Sequence, residues 1–357
     1  MKRLVLALLL VLVLAWVCLR WWRRRASRSG AGGAEFPYRK ASMPPANEML
    51  STLRNSLPRV RKNSGFDRLI VREKGDHFRS DGAADHYTEE LRVRMDPLTS
   101  AQSLSVWGVW SNRSLRAHAI KYARDREPRH HYLRRKLEEM TEPVWDTNPI
   151  LVCYILRRLA RKRKAKIFDI RVADAGVGWG GQALGACAAD VGCYHAYVPY
   201  ASLIGRAVAE QIRRALDEHH PPATSSNEFW VREMEMQQAA PRTLYDVIFL
   251  SESDLTPLVE PRSVWTMLTP AGSVVLFAGP GERAARRASA ALELTRDLPP
   301  PKIYGVRTEF GETSRALVWT KLKEKESIHL RNGRSARAAN DGVGREDAEV
   351  CHWAAHV

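Results

Sequence analysis

From about residue 168 onward, short apolar runs alternate with amphipathic stretches. The pattern predicts strands at 170–174, 193–198, 229–231, 246–250 and 273–278. Helices are predicted between or after them at 180–189, 202–218, near 260–268 and over 281–296. Two further runs, 303–308 and 315–320, are placed to close the sheet as a terminal hairpin. Strands spaced by helices of this length predict an α/β fold with a mostly parallel sheet. Ahead of it, 150–156 reads as a buried helix opening near Pro149, whose fixed φ suits a first helical turn. Residues 50–140 carry helix-like and loop-like patches with much Arg and His, but neither a repeat nor a sustained period.

The amino terminus follows a different pattern. Residues 4–19 are uninterruptedly apolar, flanked by Lys2-Arg3 and by Arg20-Trp21-Trp22-Arg23-Arg24-Arg25. A cleaved signal peptide needs small residues after its apolar run, and bulky Trp and Arg stand there instead. With the Trp pair and a snorkelling Arg20, the segment reaches the roughly 17–20 residues that a spanning helix needs. The larger positive flank lies downstream, so the expectation is a single-pass membrane anchor with the main domain facing the cytosol. The expected organisation is an anchor at 1–25, a flexible tether at 26–50, an extension at 51–143, the α/β domain at 144–322 and a disordered tail at 323–357.

Composition narrows the classes. Among 357 residues, 56 Lys and Arg stand against 40 Asp and Glu, a net charge of +16, while a 45% hydrophobic content excludes a wholly disordered chain. Some of that charge belongs to the anchor. Another part is the run 157–166, seven cations in ten residues, which suits nucleic acid phosphates or anionic lipid headgroups. Five scattered cysteines show neither a disulfide framework nor a zinc-ligand spacing. The pairs His130-His131 and His219-His220 have no acidic or Cys partner at ligand spacing, so no metal is expected.

The chemistry concentrates after the first α/β strand, in Asp174-Ala175-Gly176-Val177-Gly178-Trp179-Gly180-Gly181. Glycines suit a turn that bends sharply and approaches a ligand through its backbone. A P-loop would need Gly-Lys-Ser/Thr, and Gly181-Gln182-Ala183 does not supply it. The glycines also run closer together than in the G-x-G-x-x-G dinucleotide fingerprint. A tight strand-to-helix connection without a ligand is the plain alternative.

This loop resembles motif I of the class I S-adenosylmethionine-dependent methyltransferases. The longer string from Asp174 to Ala186 is similar to the D-x-x-x-G-W-G-x-R-L-x-G-A stretch of DNA (amino) methyltransferase-like proteins of bacteria and large DNA viruses. The resemblance covers about 144–322 and implies a Rossmann-like methyltransferase fold. It implies that Asp174, Gly176, Gly178 and Gly180 position S-adenosyl-L-methionine, with Glu233 near the cofactor adenine. Met267-Leu268-Thr269-Pro270-Ala271-Gly272 is similar to the turn that leads into the fifth strand of such domains; there Pro270 presets the bend and Gly272 is expected to take a positive φ.

Two departures matter. In Tyr194-His195-Ala196-Tyr197-Val198-Pro199, Val198 occupies the place of the acid that would accept from the cofactor ribose. Such a loss forfeits about 1.5–3 kcal/mol. After the strand at 246–250, Ser251-Glu252-Ser253-Asp254 keeps a polar first position but lacks the two prolines and the aromatic that hold a flipped base. Ser251 and Asp254 are therefore the candidate residues near the methyl acceptor, in a degenerate catalytic loop. Two readings follow: a divergent methyltransferase, with nucleic acid as the implied acceptor, or a catalytically inactive scaffold that keeps the fold at a membrane.

Overall fold

The structure, a computed structural model, describes residues 35–38, 44–55, 59–63, 66–70, 84–95, 104–126, 129–141, 146–198, 203–219, 228–234, 236–238, 243–251, 261–278, 301–308 and 311–321. The apolar segment 4–22, the stretch 281–296, residues 252–254 and the tail from 323 lie outside them. Among the described residues no helix is long and apolar enough to cross a membrane. The chain divides into two units, one of 1–42 with 89–144 and one of 43–88 with 145–357.

The first unit is helical. Helices α3 (Val106–Ser111), α4 (Arg113–Ala123) and α5 (Arg129–Glu139) enclose Val109, Trp110, Ala119, Ala123, Leu133 and Leu137, together with Phe36. Ser105 and Asn112 cap α3 and α4, each side-chain oxygen accepting from a first-turn amide. Arg134 is buried, and its guanidinium lies between Glu89 at 3.4 Å and Glu138 at 2.9 Å. Paired on both sides, its charge avoids the cost of lone burial.

The second unit is built on a nine-stranded sheet: β1 (Arg59–Asn63), β2 (Phe66–Ile70), β3 (Arg171–Asp174), β4 (Cys193–Val198), β5 (Glu228–Glu233), β6 (Tyr245–Ser251), β7 (Leu268–Ala278), β8 (Lys302–Thr308) and β9 (Gly311–Thr320). Their spatial order is β1-β2-β8-β9-β7-β6-β3-β4-β5. Strands β5, β4, β3, β6 and β7 run parallel, and β9 inserts antiparallel between β7 and β8. The expected closing hairpin is present. Beyond it the sheet takes in the β1–β2 hairpin, with β2 parallel to β8, from a segment whose pattern is too short and too polar to announce strands. From β3 the chain proceeds outward through β4 to β5, then returns to place β6 on the other side of β3. That reversal makes a topological switch point, with a crevice beyond the carboxyl ends of β3 and β6.

Every residue of β4 and β6 is buried, as befits strands covered on both faces. One face carries Ile248, Leu250, Val274, Leu276, Leu317 and Trp319 against Val264 of α9 (Pro261–Thr266) and Met267. The other face is covered by α1 (Ala46–Asn55), α6 (Pro149–Arg163), α7 (Gly181–Ala189) and α8 (Leu203–His219). Asn148 caps α6 through Ile150 N–H at 2.9 Å, with Pro149 in the first turn as the sequence predicts. Helices α6 and α7 touch at Gly185, where a β-carbon would stand 2.4 Å from Val152 Cβ.

The irregular first part of β7 corrects one expectation. The positive φ, 62°, falls on Ala271 and not on Gly272. Gly272 is required for space: a β-carbon there would meet Thr269 O at 2.9 Å and Leu268 Cδ2 at 3.0 Å.

Candidate functional site

The glycine loop leaves β3 at the switch point and enters α7. Asp174 is fully buried. Its Oδ1 accepts from Gly176 N–H at 3.2 Å, and its Oδ2 accepts from Tyr194 O–H of β4 at 2.5 Å. The carboxylate thus braces the loop from within and ties it to the neighbouring strand. Ala175 N–H donates to Phe249 O of β6 at 3.1 Å, fastening the same turn from the other side of the switch point.

Beyond Gly176, which is buried, the chain turns outward. Gly178 is exposed at φ 50°, and Gly180 takes φ 105° as the N-cap of α7. An L-residue at Gly180 would be strained and would also press its β-carbon to 2.2 Å from Ile212 Cδ1. A β-carbon on Gly178 would meet only the Gln182 side chain, at 3.0 Å, so this glycine presents open backbone to the crevice. The loop is held from outside as well. Thr88 of α2 (Asp85–Arg94) is buried with its hydroxyl 2.9 Å from Trp179 O, and Asp146 Oδ1 lies 3.4 Å from Gly181 N–H.

The remaining candidate residues spread along the carboxyl ends of the parallel strands. Val198 closes β4, buried, in register with Glu233 at the end of β5. Glu233 is exposed, which leaves its carboxylate facing solvent one strand away from Val198. Ser251 is the last residue of β6, buried and in register with Phe277. Asp254 lies outside the described residues, so Asp174, Gly176, Gly178, Gly180, Glu233 and Ser251 are the candidates that the structure places at this end of the sheet.

Sequence reasoning missed Tyr194, Thr88 and Gln182. Gln182 is 1% exposed, and its Nε2 has no hydrogen-bond partner among the described residues. A buried amide left without an acceptor costs about 1–3 kcal/mol, so a polar group brought to the loop would relieve it. The thiol of Cys187, on the same helix, is pushed up by burial and stays protonated at neutral pH.

The opposite end of the sheet holds its own polar groups. Asp246, near the start of β6, accepts from Arg163 at 2.5 Å, from Thr269 Oγ1 at 2.9 Å and from Arg171 N–H at 3.0 Å. Arg157 donates to Arg54 O and Ala188 O, and Arg158 pairs with Asp67 at 3.3 Å. Three cations of the 157–166 run are therefore engaged inside the fold, while Arg161, Lys162, Lys164 and Lys166 are exposed. On β4, burial lowers His195 to about 4 against the opposing pull of Glu228, and burial raises the Cys193 thiol to about 11 with the Arg171 side chain opposing it.

No known family profile matches the chain, and no curated protein matches it. Solved structures that it is similar to include an S-adenosylmethionine-dependent O-methyltransferase from Thermotoga maritima, at 12% identity and a TM-score of 0.37 over 52% of this chain and 70% of that one. An O-methyltransferase from Bacillus cereus in complex with S-adenosylhomocysteine is 12% identical, with a TM-score of 0.36 over 50% and 84%. TrmN from Thermus thermophilus is 17% identical, with a TM-score of 0.35 over 51% and 50%. The Rossmann-like character of the sheet rests on its strand order and switch point, and these neighbours are methyltransferases.

Proposed function

We propose that this chain binds S-adenosyl-L-methionine at the carboxyl end of β3 and is a methyltransferase-like protein of the DNA (amino) methyltransferase type. The observation that carries the reading is the left-handed Gly178–Gly180 turn, exposed at Gly178, at the switch point of the parallel strands. The residues fit such a group. Gly178 offers close backbone approach, Gln182 Nε2 is a buried donor in want of an acceptor, and the amino end of α7 favours a ligand carboxylate. Asp174 would hold the loop in shape without touching the ligand, since both its oxygens are engaged. Glu233 would face the ribose or adenine from β5. When bound, the cofactor supplies an electrophilic methyl group; Ser251, with Asp254 beyond it, would face the acceptor amine.

Buried Val198 favours a second reading, an inactive scaffold with the same fold. Nothing from its side chain can accept from a ribose hydroxyl, so affinity is expected about ten- to a hundredfold below that of a site with the acid. In either reading the chain is anchored through 4–22, and the exposed cations among 157–166 face anionic lipid or nucleic acid at the cytosolic surface. Titration calorimetry of the full chain with S-adenosylmethionine and S-adenosylhomocysteine separates the readings. Micromolar heat that disappears in Gly178→Val supports the enzyme; no heat at millimolar ligand leaves the scaffold. Gly178 is the better position to alter than Gly180, because its β-carbon meets only the flexible Gln182 side chain. Since φ 50° strains any L-residue there, a thermal melt of the variant accompanies the titration to show that the fold is kept.

A further inference from the structure

We propose that Cys193, His195 and Glu228 form a tetrahedral transition-metal site, suited to zinc, at the amino-terminal edge of β4 and β5. The site is independent of cofactor binding at the glycine loop, since it lies at the other end of the parallel strands.

The strand geometry assembles it. Cys193 and His195 are two residues apart and share one face of β4, while Glu228 is the register partner of Cys193 on β5. The thiol, imidazole and carboxylate donors all lie within 4.8 Å of one another. His195 Nε2 is 3.1 Å from Cys193 Sγ and 2.9 Å from Glu228 Oε1. In a tetrahedral zinc site these donors stand about 3.4–3.6 Å apart, so a bound ion would part each pair by roughly half an ångström. Glu228 can make that movement: its side chain is 60% exposed, against 5% for His195, and it leaves both an entry path and a fourth position for water.

The surroundings are those of an oriented ligand set. His195 Nδ1 is 2.8 Å from Tyr245 Oη, which is 2.6 Å from Tyr197 Oη. With a metal on Nε2, the ring proton moves to Nδ1 and is donated to Tyr245, which fixes the tautomer. Trp230 stacks on the imidazole at 3.9 Å and donates its indole N–H to Glu228 Oε1 at 3.3 Å. The positive charge of Arg171 pulls the Cys193 thiol down against burial and would stabilise the thiolate formed when the ion displaces its proton. One soft, one borderline and one hard donor select zinc or cobalt over calcium or magnesium.

Cobalt(II) titrated into the metal-free full chain tests the site. Binding of one equivalent, with tetrahedral d–d absorption and a thiolate-to-cobalt charge-transfer band, is the expected result. Cys193→Ser should abolish the charge-transfer band. Glu228→Ala, at an exposed position that leaves the core intact, should weaken binding at least tenfold. Zinc should raise the melting temperature of the parent chain by more than that of Glu228→Ala at the same concentration. A purely octahedral aqua-cobalt spectrum would overturn the proposal. So would a tetrahedral spectrum that persists unchanged in both variants, since it would then belong to other thiols.

Discussion

The two ends of the parallel sheet solve opposite problems with the same strands. At the carboxyl end the chain turns on its backbone: exposed Gly178 and buried Gly180 take the left-handed region, and the buried carboxylate of Asp174 spends both oxygens on holding that loop. At the amino end it exposes little backbone and gathers side chains, with Asp246 collecting three donors and Cys193, His195 and Glu228 meeting on one face. A ligand at the first end would be met mostly by main chain, and at the second by side chains. Substitutions should therefore act through shape at one end and through charge at the other.

That contrast can be broken or sharpened by four changes, the largest first. Gly185→Val forces a side chain into the α6–α7 contact, where even a β-carbon meets Val152 and the Pro149 carbonyl; the expected loss is about 3 kcal/mol or more in urea unfolding. A loss under about 1 kcal/mol would show that the two helices are free to separate. Asp246→Ala strands Arg163 and leaves Arg171 N–H without its acceptor, and should cost about 3 kcal/mol while leaving any cofactor affinity unchanged. A matching loss of cofactor affinity would mean that the two ends are coupled.

Tyr194→Phe removes a charge-assisted bond to Asp174 and should cost about 2 kcal/mol, with a parallel weakening of S-adenosylmethionine binding because the loop is less well held. Unaltered binding in a destabilised protein would detach Asp174 from the site altogether. The smallest effect on stability, under about 0.5 kcal/mol, is expected for combined replacement of Arg161, Lys162, Lys164 and Lys166 by Gln, since all four are solvated. The same variant should lose salt-sensitive binding to phosphatidylserine vesicles. If it loses binding to single-stranded DNA instead, the patch serves nucleic acid.

What could be read from the chain divides along the same line. The parallel strands, the helix opening at Pro149 and the glycine loop announce themselves through local pattern, because alternation, a capping residue and clustered glycines act over a few positions. Pairings made across the sheet leave no such mark. Glu228 reaches Cys193 only through strand register, so ligand spacing along the sequence could not reveal the trio. Tyr194 and Asp174 are likewise joined across strands, and a buried tyrosine in an apolar run looks like any core aromatic. The 157–166 run reads as one patch in sequence, yet the helix turns Arg157, Arg158 and Arg163 toward partners and leaves the others to solvent. Ala271 is a smaller case: a turn with glycine one residue later invites the positive φ to be assigned there, whereas crowding by Thr269 and Leu268 is what that glycine answers.

The placement of β2 has a consequence for how the molecule is made. Phe66 to Ile70 find their parallel partners at Ile303 to Arg307, and Lys302 of that same strand pairs with Asp67. On a ribosome, the early hairpin must wait for almost the whole of the second unit to be synthesised before the free edge of β2 is covered. Parallel pairing over such a distance is slow, and an open strand edge is a template for association with other chains. The Arg and Lys of β1 and β2 are the kind of charge that keeps such an edge from joining a neighbour meanwhile. Completion of the sheet is thus also the last quality check on a newly made chain, and truncation before β8 should send it to aggregation or proteolysis.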